Sequence, residues 1–282
     1  MMTTKYAVLV GCNYVCTSLQ LNGSGNNVKN MRTFLIEHMG YSPENIEILC
    51  DDYPKPNGEN VSCILPTTYN ITNSLLQLMT KSAKASEICF YYSGHGSRVV
   101  DNTIFQDVSS GYDSCLTPID SNVNGVIPNN ALYPIMFLSQ CPTLILCDCC
   151  YSGSLFDLPY QYQVLYDGMS SHIVQQYKTS RIEINSNIVA LGACSYTEVG
   201  YDFFDNDDKQ FEGILTDSFL DAMKEYNYEA TIQQILIRIS EKYKLLELPS
   251  LPHPTLSSSR ENPEWVFSHN RDRTVLSPFH NY

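Results

Sequence analysis

Positive charge is scarce in this chain. Seventeen Lys and Arg stand against thirty Asp and Glu, a formal net charge of −13 over 282 residues. That balance argues against a general surface for nucleic acid or anionic lipid, and makes a cationic ligand or peptide the easier partner. Charge of either sign is thin as well, at 17% against roughly 25% in ordinary soluble domains, which excludes long disordered charged tracts. Long apolar runs are missing too. The N-terminal one, Tyr6 to Cys12, is of strand length and is followed by no small-residue cleavage site, so neither a membrane span nor a signal peptide is expected. Nor is the cysteine count even: eleven thiols, several within apolar runs (Cys12, Cys50, Cys89, Cys147), read as reduced core residues of a cytoplasmic protein and not as a disulfide framework.

What is present is a rhythm. Apolar runs of strand length recur at Tyr6 to Val10, Asn45 to Cys50, Glu87 to Tyr92, Thr143 to Cys147 and Asn187 to Leu191. Each is nearly continuous and shows little alternation, the pattern of strands covered on both faces. Between and after them, helical spacing predicts helices over 27–39, 71–84, 130–139, 216–225 and 231–246. Strand alternating with helix implies a mostly parallel sheet with helices on both faces, and such sheets place their working residues at the carboxyl ends of strands. The stretch 155–186, rich in Tyr, Gln and Ser, shows no clear strand signal and reads as a connection between a larger region (1–154) and a smaller one (187–282). The Pro-rich tail after Leu248 reads as extended.

Two strands run into polar, Gly-containing sequence: FYYSGHGSRVVD at 90–101 and LILCDCCYSGS at 144–154. In a parallel sheet His95 and Cys150 would emerge on one edge, where an imidazole can take a thiol proton and return it to a leaving amine. Gly94, Gly96 and Gly153 flank them, and the backbone N–H groups of Cys150 and Gly96 would form an oxyanion hole. Cys147 and Cys149 read as core, and with no second Cys or His pair nearby they do not complete a zinc site. The acidic run Asp202, Asp205, Asp207, Asp208 reads as a solvated loop, with a substrate-facing or weak calcium role as the alternative. Lys178 and Arg181 read as exposed charges, with self-cleavage there as the alternative.

These motifs resemble those of metacaspases, a family of caspase-like cysteine peptidases. The histidine motif stands complete at Tyr92 to Ser97, and the nucleophile motif at Asp148 to Gly153 differs only at Tyr151, where the family has His. VGCNY at 10–14, VKNM at 28–31, GYD at 111–113, SLFDLPY at 154–160 and HPTLSSS at 253–259 agree as well. The spacing of fifty-five residues between His95 and Cys150 fits the histidine about 50 residues upstream of a caspase nucleophile. The resemblance implies one caspase-like αβα domain and hydrolysis by a His95/Cys150 dyad after Arg or Lys. By the family pattern Ser24, Asn27, Ser93 and Asp148 would line the pocket for that basic residue, with Ser24 and Asn27 standing where the family has Cys and Asp. Asp157 matches one calcium ligand of the family, but Asn129 and Asn130 replace a pair of Asp, so little calcium dependence is expected. A monomer acting on peptide or protein substrates is expected, without nucleic acid or membrane and without the prodomain some relatives carry. The alternative is an impaired enzyme that serves as an interaction scaffold, motivated by Ser24, Asn27 and Tyr151.

Overall fold

The computed structural model describes residues 4–54, 61–101, 111–166, 171–178, 184–205, 210–246 and 250–267. The first half contains β1 (Lys5–Gly11), α1 (Ser24–Glu37), β2 (Ile46–Cys50), α2 (Thr68–Lys81), β3 (Glu87–Ser93), β4 (Gly96–Val100), β5 (Tyr112–Leu116), α3 (Ser121–Asn124), β6 (Ile127–Pro128), α4 (Asn129–Met136) and β7 (Thr143–Asp148). The second contains β8 (Tyr160–Tyr166), β9 (Ser171–Lys178), β10 (Ile188–Gly192), β11 (Asp202–Asp205), β12 (Gln210–Gly213), α5 (Ile214–Glu225), β13 (Ala230–Thr231), α6 (Ile232–Leu245), β14 (Thr255–Ser258) and β15 (Val266–Phe267).

Eight strands form one sheet in the order β2-β1-β3-β7-β10-β14-β8-β9. The run from β2 to β10 is parallel; β14, β8 and β9 add to it antiparallel. Continuous apolar strands follow from this arrangement because alternate side chains enter different cores. Cys89, Tyr91, Leu144 and Leu146 join α1, α5 and α6 on one face, while Ile88, Phe90, Tyr92, Ile145 and Cys147 join α2 and α4 on the other. The five predicted helices all form. In α1 the residues Ser24, Asn27, Val28, Met31, Phe34 and Leu35 make the buried stripe.

The segment 155–186 departs from expectation. It supplies β8 and β9, which extend the large sheet to one edge, so the sheet runs through both proposed regions without a break. Tyr160, Gln161 and Tyr162 are buried against the sheet while the far end of β8 opens to solvent. Their strand order comes from pairing with β14, nearly a hundred residues later, and a non-local partner leaves no local apolar run to read. The tail expected to be extended contributes that same β14, between β10 and β8. Lys178 ends β9, whereas Arg181, Asp207 and Asp208 lie outside the described residues.

Among the described residues, no helix is long and apolar enough to cross a membrane. Helix α6 begins with a capping box, in which Thr231 accepts from the Gln234 N–H and the Gln234 side chain accepts from the Thr231 N–H. Thr231→Ala should therefore cost about 1 kcal/mol and lower the melting temperature by about 2–4 °C; an unchanged melt would show that the cap adds nothing to stability.

Candidate active site

The site is set by strand register. β3 and β7 pair in parallel with Ser93 opposite Asp148, and the Gly94 N–H continues the ladder to the Asp148 carbonyl at 3.4 Å. His95 and Cys150 each lie two residues beyond that last pair, so both emerge at the same level on neighbouring strands. The two chain segments touch directly: a Cβ placed on Gly96 would fall 1.9 Å from the Cys150 carbonyl oxygen. Only glycine fits there.

Two tyrosines hold the His95 backbone. The His95 N–H donates to Tyr14 Oη at 2.8 Å, Tyr14 Oη passes its own proton to the Thr117 carbonyl at 2.5 Å, and Tyr92 Oη donates to the His95 carbonyl at 2.8 Å. Burial pushes both phenols well above their ordinary range, so they act as neutral donors. The imidazole is oriented from outside. Its Nε2 lies 2.8 Å from the Leu19 carbonyl oxygen, which can only accept, so Nε2 carries a proton and donates it there.

Cys150 is partly buried, and its thiol donates to the Gly200 carbonyl at 3.8 Å. Burial raises its pKa above the ordinary thiol value and the charge of Asp202 raises it further. The Gly200 contact and the backbone N–H groups of Cys150 and Gly96 act in the opposite sense. Among the described residues no hydrogen bond joins His95 to Cys150. Catalytic hydrogen bonds commonly tighten only with substrate bound.

The loop beside Cys150 is fastened at Glu198. Its carbonyl accepts the Tyr151 N–H at 3.0 Å and the Cys194 thiol at 3.2 Å. Its carboxylate accepts the N–H groups of Ser195 and His253, at 3.0 and 2.9 Å, and His253 Nδ1 at 2.7 Å. These hydrogen bonds outweigh partial burial and hold the Glu198 carboxyl below its ordinary range. Two residues on, Gly200 packs against the backbone of Cys149 and Cys150.

Three of the four expected pocket residues come together. Asn27 is fully buried, its Nδ2 donating to Ser93 Oγ at 2.9 Å and its Oδ1 accepting the Gly213 N–H at 3.1 Å. Asp148 Oδ2 and Asn27 Nδ2 both border Gly213, where a Cβ would meet them at 2.3 and 2.8 Å. Asp148 also caps α5 from outside the helix, accepting the Thr216 N–H and hydroxyl at 2.7 and 2.6 Å. Burial lifts its pKa to about 6 in spite of these bonds. Ser24 lies one turn before Asn27, its buried hydroxyl without a hydrogen-bond partner. Asp202 was not among the expected pocket residues. It pairs with Gly213 across β11 and β12, and its Oδ2 lies 3.3 Å from the Cβ position of Gly23. Asp202 is reachable by solvent, yet the surrounding protein and the charge of Asp148 push it up to about 7. Two carboxyl groups, Asp148 and Asp202, thus stand near Gly213, one of them from the acidic run read as a solvated loop.

The expected calcium residues form a different kind of contact. Asn129 Nδ2 donates to Asp157 Oδ2 at 2.7 Å and Asn130 Nδ2 to Asp113 Oδ2 at 2.6 Å. Among the described residues no three His, Cys, Asp or Glu side chains gather as a metal site. Cys147 and Cys149 are buried, and burial raises both thiols.

Comparison with known proteins decides the family. Residues 5–159, more than half of the chain, match the metacaspase, peptidase C14 domain family. The chain belongs to the metacaspase family. It is 39% identical over 161 residues to Metacaspase-1 of Debaryomyces hansenii, covering 56% of this chain and 35% of the relative. It is 39% identical over 156 residues to Metacaspase-6 of Arabidopsis thaliana, covering 54% and 39%. The matched part thus spans little more than a third of these relatives. Among solved structures, Caspase-1 of Spodoptera frugiperda superposes with a TM-score of 0.52 at 10% identity over 97% of this chain and 92% of that one. A protein from Geobacter sulfurreducens gives 0.58 at 16% identity over 90% and 93%. The fold is caspase-like, as the motifs implied.

Gly96→Ala tests the contact on which the dyad depends. Its methyl group would collide with the Cys150 carbonyl, and a loss of about 1–3 kcal/mol in denaturant unfolding is expected. An unchanged midpoint would mean that the two segments do not abut.

Proposed function

We propose that this chain is a cysteine endopeptidase that cuts after Arg or Lys. The observation that carries the reading is the level placement of Cys150 and His95 beyond the Ser93–Asp148 pair, next to a pocket with two carboxyl groups. Cys150 Sγ gives its proton to His95 Nδ1 and attacks the carbonyl carbon; the oxygen takes up the negative charge between the N–H groups of Cys150 and Gly96. As the tetrahedral adduct collapses, His95 returns the proton to the departing amine. A water, deprotonated by the same imidazole, then releases the acid from the thioester. Asp148 and Asp202 attract the cation before the cut bond, and Asp202 offsets the carboxylate missing at Asn27.

Purified protein and its Cys150→Ala variant are compared on matched fluorogenic peptides with Arg, Lys, Asp or Asn before the reporter group. Turnover of the Arg and Lys peptides, lost in the variant, is expected. No turnover of any peptide by folded protein would favour the scaffold. The acidic pair sets the pH dependence. Both carboxyls are raised, to about 6 and about 7, so protons leave the pocket as pH climbs through that window and attraction for a cation grows. The kcat/KM for an Arg peptide should rise from pH 5 to 8 more steeply than that for an Asn peptide. Because the two groups titrate as a pair, Asp202→Asn should move the remaining step to lower pH.

The enzyme works without calcium on this reading. The Asn129 and Asn130 amides present hydrogens to Asp157 and Asp113, so the donor set does not fit a cation that prefers several charged oxygens. Chelator should leave the melting temperature and rate unchanged. The double variant Asn129→Asp, Asn130→Asp sets carboxylates against carboxylates, and should melt lower in chelator and recover with calcium. A wild-type melt that rises with micromolar calcium would sink this reading.

A further inference from the structure

One cation beside the nucleophile has no part in the dyad or its acidic pocket. β4 and β5 pair with Arg98 opposite Ser114 and Val100 opposite Tyr112. Alternate residues of a strand share a face, so Gly96, Arg98, Tyr112 and Ser114 stand on one side of this hairpin. That side looks at the nucleophile turn, since Gly96 abuts the Cys150 carbonyl and Ser114 Oγ lies 2.8 Å from Ser154 Oγ. Arg98 therefore stands two strand positions, about 7 Å, from the point of contact with Cys150.

Its guanidinium carbon lies 4.4 Å from the centroid of the Tyr151 ring and 5.5 Å from that of Tyr112. Tyr151 is fixed in the left-handed backbone region, with φ at 57°, by its N–H bond to the Glu198 carbonyl. Two aromatic rings thus hold an exposed guanidinium in place, and no carboxylate of the described residues pairs with it. A cation–π contact leaves a guanidinium N–H groups with which it can make bidentate contact to a carboxylate. The acidic pocket proposed from Asn27, Asp148, Asp202 and Gly213 is built on α1, β7, β11 and β12, none of them part of the β4–β5 hairpin. A peptide with its basic residue in that pocket and its reacting carbonyl at Cys150 would continue along the hairpin after the cut bond.

We infer that Arg98, held by Tyr151 and Tyr112, is a subsite for an acidic side chain one or two residues after the cut bond. The inference rests on the peptidase reading above. It also explains what Tyr151 does in place of the family's histidine: it supplies a platform for the guanidinium.

Internally quenched peptides test it. They share one sequence up to an Arg before the cut bond and carry Glu or Gln at the first or the second position after it. Wild type is expected to prefer Glu at one of these positions by about 5- to 20-fold in kcat/KM, with the preference shrinking in high salt. Arg98→Gln should bring the Glu/Gln ratio to about one, Arg98→Lys should keep part of it, and Tyr151→Leu should reduce it by removing one ring. Equal rates for Glu and Gln in a wild type that cuts both peptides would overturn the subsite alone, as would a preference that survives Arg98→Gln. If folded wild type cuts none of the peptides, the peptidase reading and the subsite fall together.

Discussion

The parallel pairing of β3 with β7 is the constraint on which the rest of the site depends. A parallel ladder fixes how far each strand advances relative to its neighbour, and Ser93 opposite Asp148 leaves equal lengths of chain to reach His95 and Cys150. A slip of one residue would reverse the faces of every side chain in β7. It would move Leu144 and Leu146 out of one core, Ile145 and Cys147 out of the other, and the thiol away from the imidazole. The apolar contacts on the two faces therefore set where His95 and Cys150 emerge. Gly96 allows the close approach that this register imposes.

Around the dyad, single side chains serve more than one end. Tyr91 lends its hydroxyl proton to Thr216, whose own proton goes to Asp148, so a core tyrosine orients the threonine at the start of α5. Asp148 at once caps α5 and gives the pocket its buried charge. Burial opposes that charge while the N–H groups and hydroxyl at the helix N-terminus favour it, and burial prevails, lifting the carboxyl to about 6. Glu198 plays the matching part on the other side. Its carboxylate joins the tail at His253 to the loop after β10, and its carbonyl joins that loop to the residue following the nucleophile.

Much of this was legible in the sequence, for a physical reason. Buried parallel strands need near-continuous apolar runs and surface helices need a one-sided stripe, so the five central strands and the five larger helices were written locally. His95 and Cys150 stand just past strand ends beside glycines for the same reason. What escaped notice depends on partners distant in the chain. β8 is placed in the sheet by β14, and β9 follows it by pairing with β8; the alternating Tyr and Gln at the start of β8 resemble a polar connection when read alone. Tyr14 carries no signal that its hydroxyl reaches the backbone of His95, eighty-one residues away. Asp202 looks like one of four loop acids until β11 pairs with β12 and sets it beside Gly23. His253 was visible as part of a family motif, but the glutamate it holds lies fifty-five residues earlier.

The resting electrostatics give the acidic pocket a second consequence on the proposed reading. Cys150 is held as a thiol by burial first and by the charge of Asp202 after it, so the carboxylate that attracts a basic residue also opposes ionisation of the nucleophile. A cation entering between Asp148 and Asp202 cancels much of the negative field felt at the sulfur. It also stabilises the ionised form of both carboxyls, so the pocket does not need to take up a proton as the thiol gives one to His95. Binding of an Arg or Lys side chain then does two things in one step: it positions the scissile bond and lowers the energy of the thiolate. A neutral residue in the same pocket would leave Asp202 opposing that proton transfer, and selectivity would fall on the chemical step as well as on binding.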